Sequence, residues 1–178
     1  MLLLSHFRAC ARNNMWCNDR LLRACAQLSR EELHARRVSF FPSIILTLNH
    51  ILTVDWYYRD ALENAGRGLR VFDVELPFPE IDALASAQRE SDRALVSFCD
   101  ALNEAELGRS VATDRGDEGV FEEALSAVLA HLFLHQTHHR GQAHAMLAGT
   151  RVAPPQLDEF FLRYDEPRRR EEVARLGI

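Results

Sequence analysis

Residues 118–149 read EGVFEEALSAVLAHLFLHQTHHRGQAHAMLAG, and this stretch decides the fold class because its repeat has the period of a helix. One residue in every three or four falls on a common face, and these residues are Phe121, Leu125, Val128, Leu132, His135, His139, Gln142 and Met146. Such spacing predicts one long helix, from near Glu118 to Ala148 or Gly149, with that face buried in a bundle. Glycine just past the last turn is typical of a helix end.

Three other segments repeat with the same period. They span residues 2–28 and 41–64 and the region that follows Pro79, and Pro42 is expected in the first turn of the second helix. Residues 108–119 predict a loop or a small hairpin, and residues 166–176 predict a short terminal helix. The sequence therefore predicts an all-α chain, a four-helix bundle with a short C-terminal helical extension, in a single domain over residues 1–178.

The composition excludes several classes of protein. The 178 residues are 47% hydrophobic and 26% charged, as in ordinary globular proteins, and the net charge of −5 argues against nucleic acid as a partner. The apolar stretches are too short for a signal peptide or a membrane span. The four cysteines lack CxxC spacing, which favours buried free thiols in a reducing cytoplasm; they are Cys10, Cys17, Cys25 and Cys99.

Polar residues interrupt the apolar faces of the other helices. Asn14 does so in the first helix, and Gln88 and Ser91 do so in the third. These side chains either line a polar cavity or mark where a helix approaches the surface. Asp55, five residues past His50, lies too far round its helix to predict a role beside that histidine. Arg140 is expected to form a surface salt bridge.

Two histidines continue the buried face of the fourth helix where its hydrophobic residues stop. His135 and His139 lie one turn apart, so both side chains are expected in the core. Burial of an imidazole costs free energy unless its nitrogens find partners, and a metal ion is such a partner. His50, among apolar residues of the second helix, is expected to be the third ligand. Three ligands would leave a position open for water or substrate, as in catalytic metal sites.

Other interpretations of the histidines stay open from these residues alone. A lone core histidine such as His50 is more often hydrogen-bonded than metal-bound, and the HxxxH spacing is common. His131 is also four residues from His135, but Gln142 extends the polar face beyond His139, which favours His139 as the ligand. Two further histidines lie off this face and are expected at the surface or beside the ligands, namely His138 and His144.

Several motifs resemble one known family. Residues 135–142 read HQTHHRGQ, which resembles the histidine-then-HRGQ motif of the DinB (DinB/YfiT-like) proteins. Similar elements follow the family order along nearly the whole chain: NMWCNDRL at 14–21, FPSI at 41–44, LNHIL at 48–52 with Asp55, and APPQLD at 153–158. The resemblance implies a four-helix bundle that holds zinc or nickel on His50, His135 and His139. It also implies a homodimer.

The resemblance and the residues together predict a divalent-metal-binding protein. A metal-bound water would give a metal-dependent hydrolase of a small-molecule substrate. Family members include thiol-dependent S-transferases and a mycothiol-dependent maleylpyruvate isomerase, so the resemblance implies a thiol S-transferase that uses a low-molecular-weight thiol. Gln142 is the candidate catalytic residue, placed to orient substrate or water, although a core amide is an equal interpretation. The alternative is a non-catalytic metal- or ligand-binding bundle of the stress response, and a bundle without metal ranks last.

Overall fold

Four long helices pack side by side in the computed structural model, which describes residues 2–178. α1 packs against α4 and α5, and α3 packs against the same two helices, so the predicted four-helix bundle is confirmed. The elements of the described residues are α1 (Leu3–Cys25), α2 (Arg30–His34), α3 (Ile44–Glu63), α4 (Ile81–Ala101), β1 (Ser110–Asp114), β2 (Val120–Ala124), α5 (Leu125–Ala148) and α6 (Glu166–Leu176).

Serine caps set where α2 and α3 begin. Ser29 Oγ accepts a hydrogen bond from the Glu32 amide at 3.2 Å, and the Glu32 carboxylate accepts one from the Ser29 amide at 2.7 Å. The capping box at Ser29 begins a separate helix, so α1 does not continue into α2. It ends at Cys25 rather than at the predicted residue 28. Ser43 caps α3, which therefore begins at Ile44, and the prediction that Pro42 lies in its first turn is wrong.

A β-hairpin precedes α5. β1 and β2 pair antiparallel, with Ser110 opposite Ala124. Gly116 and Gly119 in the connection have φ of 66° and 95°, which lets the chain reverse at little cost. The prediction of helix from near Glu118 is therefore wrong, because residues 120–124 pair as a strand and Phe121 is 47% exposed. Of the two structures predicted for residues 108–119, the hairpin is the one that forms.

Three apolar clusters form the core of residues 2–178. One uses residues 4–11 of α1, 54–62 of α3, 95–102 and 125–132. A second uses 21–28, 44–52, 84–85 and 143–147. A small third cluster joins residues 15–17 to Leu176 of α6. In α1, α4 and α5 the buried polar side chains lie between the first two clusters, so a polar layer crosses the middle of the bundle.

The C-terminal helix α6 has the predicted bounds and lies against α1. Glu172 accepts hydrogen bonds from Trp16 Nε1 and from Arg20 Nε, both at 2.8 Å, and Arg175 pairs with Asp19 at 2.5 Å. All four cysteines are free thiols: three are buried as expected, and Cys10 is half-buried. Among residues 2–178, no helix has the length and apolar character needed to cross a membrane.

Candidate metal centre

Three imidazoles meet where α3 packs against α5. His50 extends from α3, and His135 and His139 extend from successive turns of α5. One ring nitrogen of each lies within 4.8 Å of the other two, and the Nε2 atoms of His50 and His135 are 3.2 Å apart. The structure thus brings together the three histidines that the sequence singled out.

Gln142 fixes the orientation of His139. Its Oε1 lies 2.8 Å from His139 Nδ1, and its Nε2 lies 3.1 Å from Nε2 of His138. An amide oxygen only accepts, so His139 Nδ1 carries the hydrogen and donates it. The neutral His139 ring therefore presents the lone pair of Nε2 for coordination, which is how hydrogen-bonded histidines bind metals in proteins.

Phe41 covers the three imidazoles from the segment that leads into α3. Its ring centroid lies 4.2 Å from that of His50 and 5.8 Å from that of His139. A small cavity of about 110 Å³ opens beside His50, with Glu75 on its wall. A larger cavity of about 470 Å³ opens beside Gln142 and is lined by Arg37 and Phe40. The smaller cavity therefore borders a histidine of the cluster, and the larger one borders Gln142, the hydrogen-bond partner of His139.

The three rings are neutral near pH 7. Burial lowers the pKa of His50 to about 4, and the neighbouring His139 contributes in the same direction. Burial lowers the pKa of His135 to about 3, helped by repulsion from the surrounding histidines, and it also lowers the pKa of His139. Since a metal ion binds only neutral imidazole, the cluster is in the state that coordination requires.

The residues fit a divalent ion. Two nitrogens that each lie about 2.0–2.1 Å from a tetrahedral zinc ion are separated by about 3.4 Å, close to the distance between the Nε2 atoms of His50 and His135. Within residues 2–178, His135 Nδ1 is buried without a hydrogen-bond partner, so the polar contact of this ring is the one that its Nε2 makes with His50. The three histidines could therefore hold a metal ion.

The remaining histidines of α5 lie outside this cluster. His131 packs against Tyr58, with ring centroids 5.0 Å apart, and is not among the three converging imidazoles. His138 is exposed and lies beside His139, with ring centroids 4.8 Å apart, and Gln142 contacts both rings. His144 donates from Nε2 to the Pro155 carbonyl at 2.9 Å.

A closed circuit of hydrogen bonds lies in the core beside the histidines, and we call it the buried polar ring. Arg140 donates to the side-chain oxygens of two amides of α1, which in turn donate to Asp92. Gln88 donates to Asp92 at 3.2 Å and to Asp55 at 2.7 Å. Gln136 donates to Asp55 and accepts from Arg140, which closes the circuit. Its members are Asn14, Asn18, Asp55, Gln88, Asp92, Gln136 and Arg140, all buried.

The ring corrects the prediction made for Arg140. Arg140 is only 5% exposed and forms no salt bridge within residues 2–178, so the expected surface salt bridge is wrong. Asp55 has no contact with His50 but joins α3 to α5 through Gln136, which is the neighbour of His135 in sequence. Asn14 and Gln88 lie in a polar interior, which was one of the two alternatives that the sequence left open. Ser91 is also buried, but its Oγ has no hydrogen-bond partner within residues 2–178.

Sequence reasoning missed most of the ring, although a signal was present. Three bundle helices each carry a pair of polar residues four positions apart: 14 and 18, 88 and 92, and 136 and 140. Residues at this spacing share one helix face. Polar pairs on the buried faces of three helices indicate that the polar groups meet in the core, because an unpaired buried polar group is costly.

Known proteins resemble the chain in sequence and in fold. The model of the DinB family matches residues 4–171. Protein DinB of Bacillus subtilis (strain 168) is 25% identical over 148 residues, which cover 79% of this chain and 85% of that protein. The crystal structure of a DinB-like protein from Bacillus cereus ATCC 10987 has a TM-score of 0.61 at 17% identity, covering 79% of this chain and 90% of the other. With its three converging histidines and a match over almost its full length, this chain belongs to the DinB family.

Proposed function

We propose that this protein is a metal-dependent enzyme of the hydrolase or thiol S-transferase type, with zinc or nickel on His50, His135 and His139. The convergence of three neutral imidazoles within 4.8 Å carries the proposal. Three protein ligands leave coordination positions open, as in catalytic rather than structural metal sites. Nitrogen ligands suit both zinc and nickel.

The proposed chemistry depends on charge. A divalent ion on three neutral ligands would keep its full positive charge and act as a Lewis acid that acidifies a water molecule or a thiol. The protein contributes the surroundings. Phe41 excludes water from one side of the imidazoles, and Gln142 holds His139. Glu75 lies on the wall of the cavity beside His50 and is the carboxylate of that cavity.

Activity assays on metal-loaded protein test the proposal. The zinc and nickel forms would be incubated with low-molecular-weight thiols and an electrophilic aryl halide, and separately with activated esters. We expect turnover with one of these substrate classes and its loss in the His139→Ala variant. Turnover that survives in His139→Ala would contradict the assignment, and so would the absence of turnover in every metal-loaded form.

One observation favours a second candidate, a non-catalytic bundle of the stress response that binds a metal or a small ligand. No hydrogen bond or ion pair joins the three imidazoles to a carboxylate anywhere in residues 2–178. The centre therefore has no general acid or base in direct contact with its ligands. This candidate predicts metal binding without turnover, so the same assays separate the two functions.

Gln142 is proposed as the residue that positions His139. We expect Gln142→Leu to weaken zinc binding about 10- to 100-fold, the usual effect of removing a hydrogen-bond partner from a histidine ligand. Competition with a chromophoric chelator measures this affinity without any assay of activity. His138→Ala is the matched control, because it removes the other partner of Gln142 and leaves the bond to His139. Equal zinc affinities for Gln142→Leu and the unaltered protein would exclude a positioning role.

The proposal also covers the cellular location and the oligomeric state of the protein. The net charge of −5 and the free thiols support a cytoplasmic protein that does not bind nucleic acid. The resemblance to the family supports a homodimer. Light scattering coupled to size-exclusion chromatography tests the dimer, which should have twice the chain mass of 20.3 kDa.

A further inference from the structure

Arg140 presents part of its guanidinium group away from the proposed metal centre. In residues 2–178, every hydrogen bond of Arg140 runs through Nη1, which donates to Asn14, Asn18 and Gln136. Nε and Nη2 donate to no protein group in that range. Three neutral oxygens thus fix one nitrogen of a buried cation, while the other two keep their hydrogens available.

The Arg140 side chain borders open space between α1, α5 and the segment before α6. Arg140 lines two adjoining cavities, of about 610 Å³ and about 470 Å³. Both volumes lie in the range of sites for small molecules, which is roughly 300–1,000 Å³. The cavities also share Asn13, Thr137 and Phe161, so a single ligand bound at Arg140 can extend through both.

Both cavities are lined mainly by apolar groups, and both also carry polar ones. The larger adds the polar side chains of His144 and Gln156 to Leu157 and Phe161. Its one carboxylate, Asp158, is exposed and accepts a hydrogen bond from Gln156 at 2.7 Å. The smaller includes the apolar side chains Leu3, Phe7, Phe133 and Leu134. Arg140 therefore borders two adjoining spaces in which an apolar ligand body can be buried.

We propose that this pair of cavities is a binding site for a small carboxylic acid with an aromatic or other apolar body. The carboxylate would accept hydrogen bonds from Nε and Nη2 of Arg140, whose planar edge matches the two carboxylate oxygens. The apolar body would pack against Phe7 and Phe133. The site is separate from the three histidines, which face α3 on another side of α5.

The charge of the buried guanidinium supports an anionic ligand. Its negative counterparts, Asp55 and Asp92, contact it only through the amides of the ring. A buried cation without a directly contacting anion gains more from an incoming carboxylate than an already paired cation does. A neutral ligand of the same shape would gain only the apolar contacts.

Titration of the full-length protein with phenylacetate and with phenylacetamide tests the site. Isothermal calorimetry in the presence of EDTA prevents the carboxylate from binding a metal ion instead. We expect phenylacetate to bind at least about tenfold more tightly than the amide, the factor expected of charge-assisted hydrogen bonds. Inorganic phosphate, which has no apolar body, should bind more weakly than phenylacetate.

Two substitutions at one position locate the ligand without disturbing Arg140. Gly141 lines the larger cavity, and a Cβ atom added there meets no atom within 4 Å. Gly141→Leu should fill the cavity and abolish phenylacetate binding, whereas Gly141→Ala should retain it. Arg93→Gln, on the exposed face of α4, controls for general electrostatic attraction and should bind phenylacetate as the unaltered protein does.

Three results would overturn the proposal. The first is equal affinity for phenylacetate and phenylacetamide. The second is unchanged binding in Gly141→Leu. The third is no binding of benzoate, phenylacetate or 3-phenylpropionate. Because the Gly141 variants keep the buried polar ring intact, loss of binding in Gly141→Leu alone cannot be attributed to unfolding.

Discussion

His135→Ala should abolish stoichiometric binding of zinc or nickel. The substitution removes the ligand whose Nε2 lies 3.2 Å from that of His50, and it leaves only two imidazoles. Two neutral ligands hold a divalent ion far less firmly than three. Elemental analysis by mass spectrometry, on protein purified without a histidine tag, measures the bound metal. His50→Ala and His139→Ala should give the same result.

His131→Ala is the control for this experiment. His131 lies on the same helix, one turn before His135, but outside the converging cluster. The His131→Ala variant should keep about one metal ion per chain, the content expected of a single three-histidine site. Metal retained in all three ligand variants, or lost equally in His131→Ala, would refute the assignment of the ligands.

Arg140→Met should destabilise the fold by about 3–5 kcal/mol, the usual cost of leaving buried charges without their counter-charge. Methionine fills similar space but donates no hydrogen bonds. The carboxylates of Asp55 and Asp92 would then lie in a buried polar ring that no longer contains a positive charge. Urea unfolding measures the free energy. Arg12→Met breaks a half-exposed pair with Asp100 and should cost no more than about 1 kcal/mol.

The loss in Arg140→Met should depend on pH. Burial raises the pKa of Asp55 and of Asp92. The positive charge of Arg140 lowers both pKa values in part, and Arg59 also lowers that of Asp55. Without Arg140 both pKa values rise further, so the folded variant binds protons more tightly than the unfolded chain does. Its stability deficit should therefore shrink as the pH falls from about 7 to about 5. A deficit that is constant over this range would contradict the charge argument.

The bundle and the histidine cluster were predictable because both follow from helical periodicity. His135 and His139 occupy positions of a repeat that was already apolar, so their burial followed from spacing alone. His50 was inferred to be the third ligand from its apolar neighbours in the second helix, and the family resemblance implied the same residue. The packing of α3 against α5, which brings His50 to the other two, does not follow from spacing alone. The start of α5 was missed because Phe121 fits the helical repeat, whereas strand pairing and two left-handed glycines determine its conformation.

The environment of Arg140 could not be predicted from local sequence. A charged residue beside a run of histidines normally lies at the surface. Its burial depends on amides from α1, at residues 14 and 18, more than a hundred positions away. Asp92 is likewise marked only by its spacing of four residues from Gln88. Such contacts follow only once it is known which helices are neighbours.

The buried polar ring also constrains how this sequence can diverge. Its seven positions lie on four different helices, and each side chain satisfies a group on another helix. A lone substitution at any of them leaves a buried donor or acceptor unpaired, so single changes are selected against. Among relatives, residues 55, 92 and 140 should covary as a set. Lineages that replace the arginine with an apolar residue should have lost the two carboxylates as well.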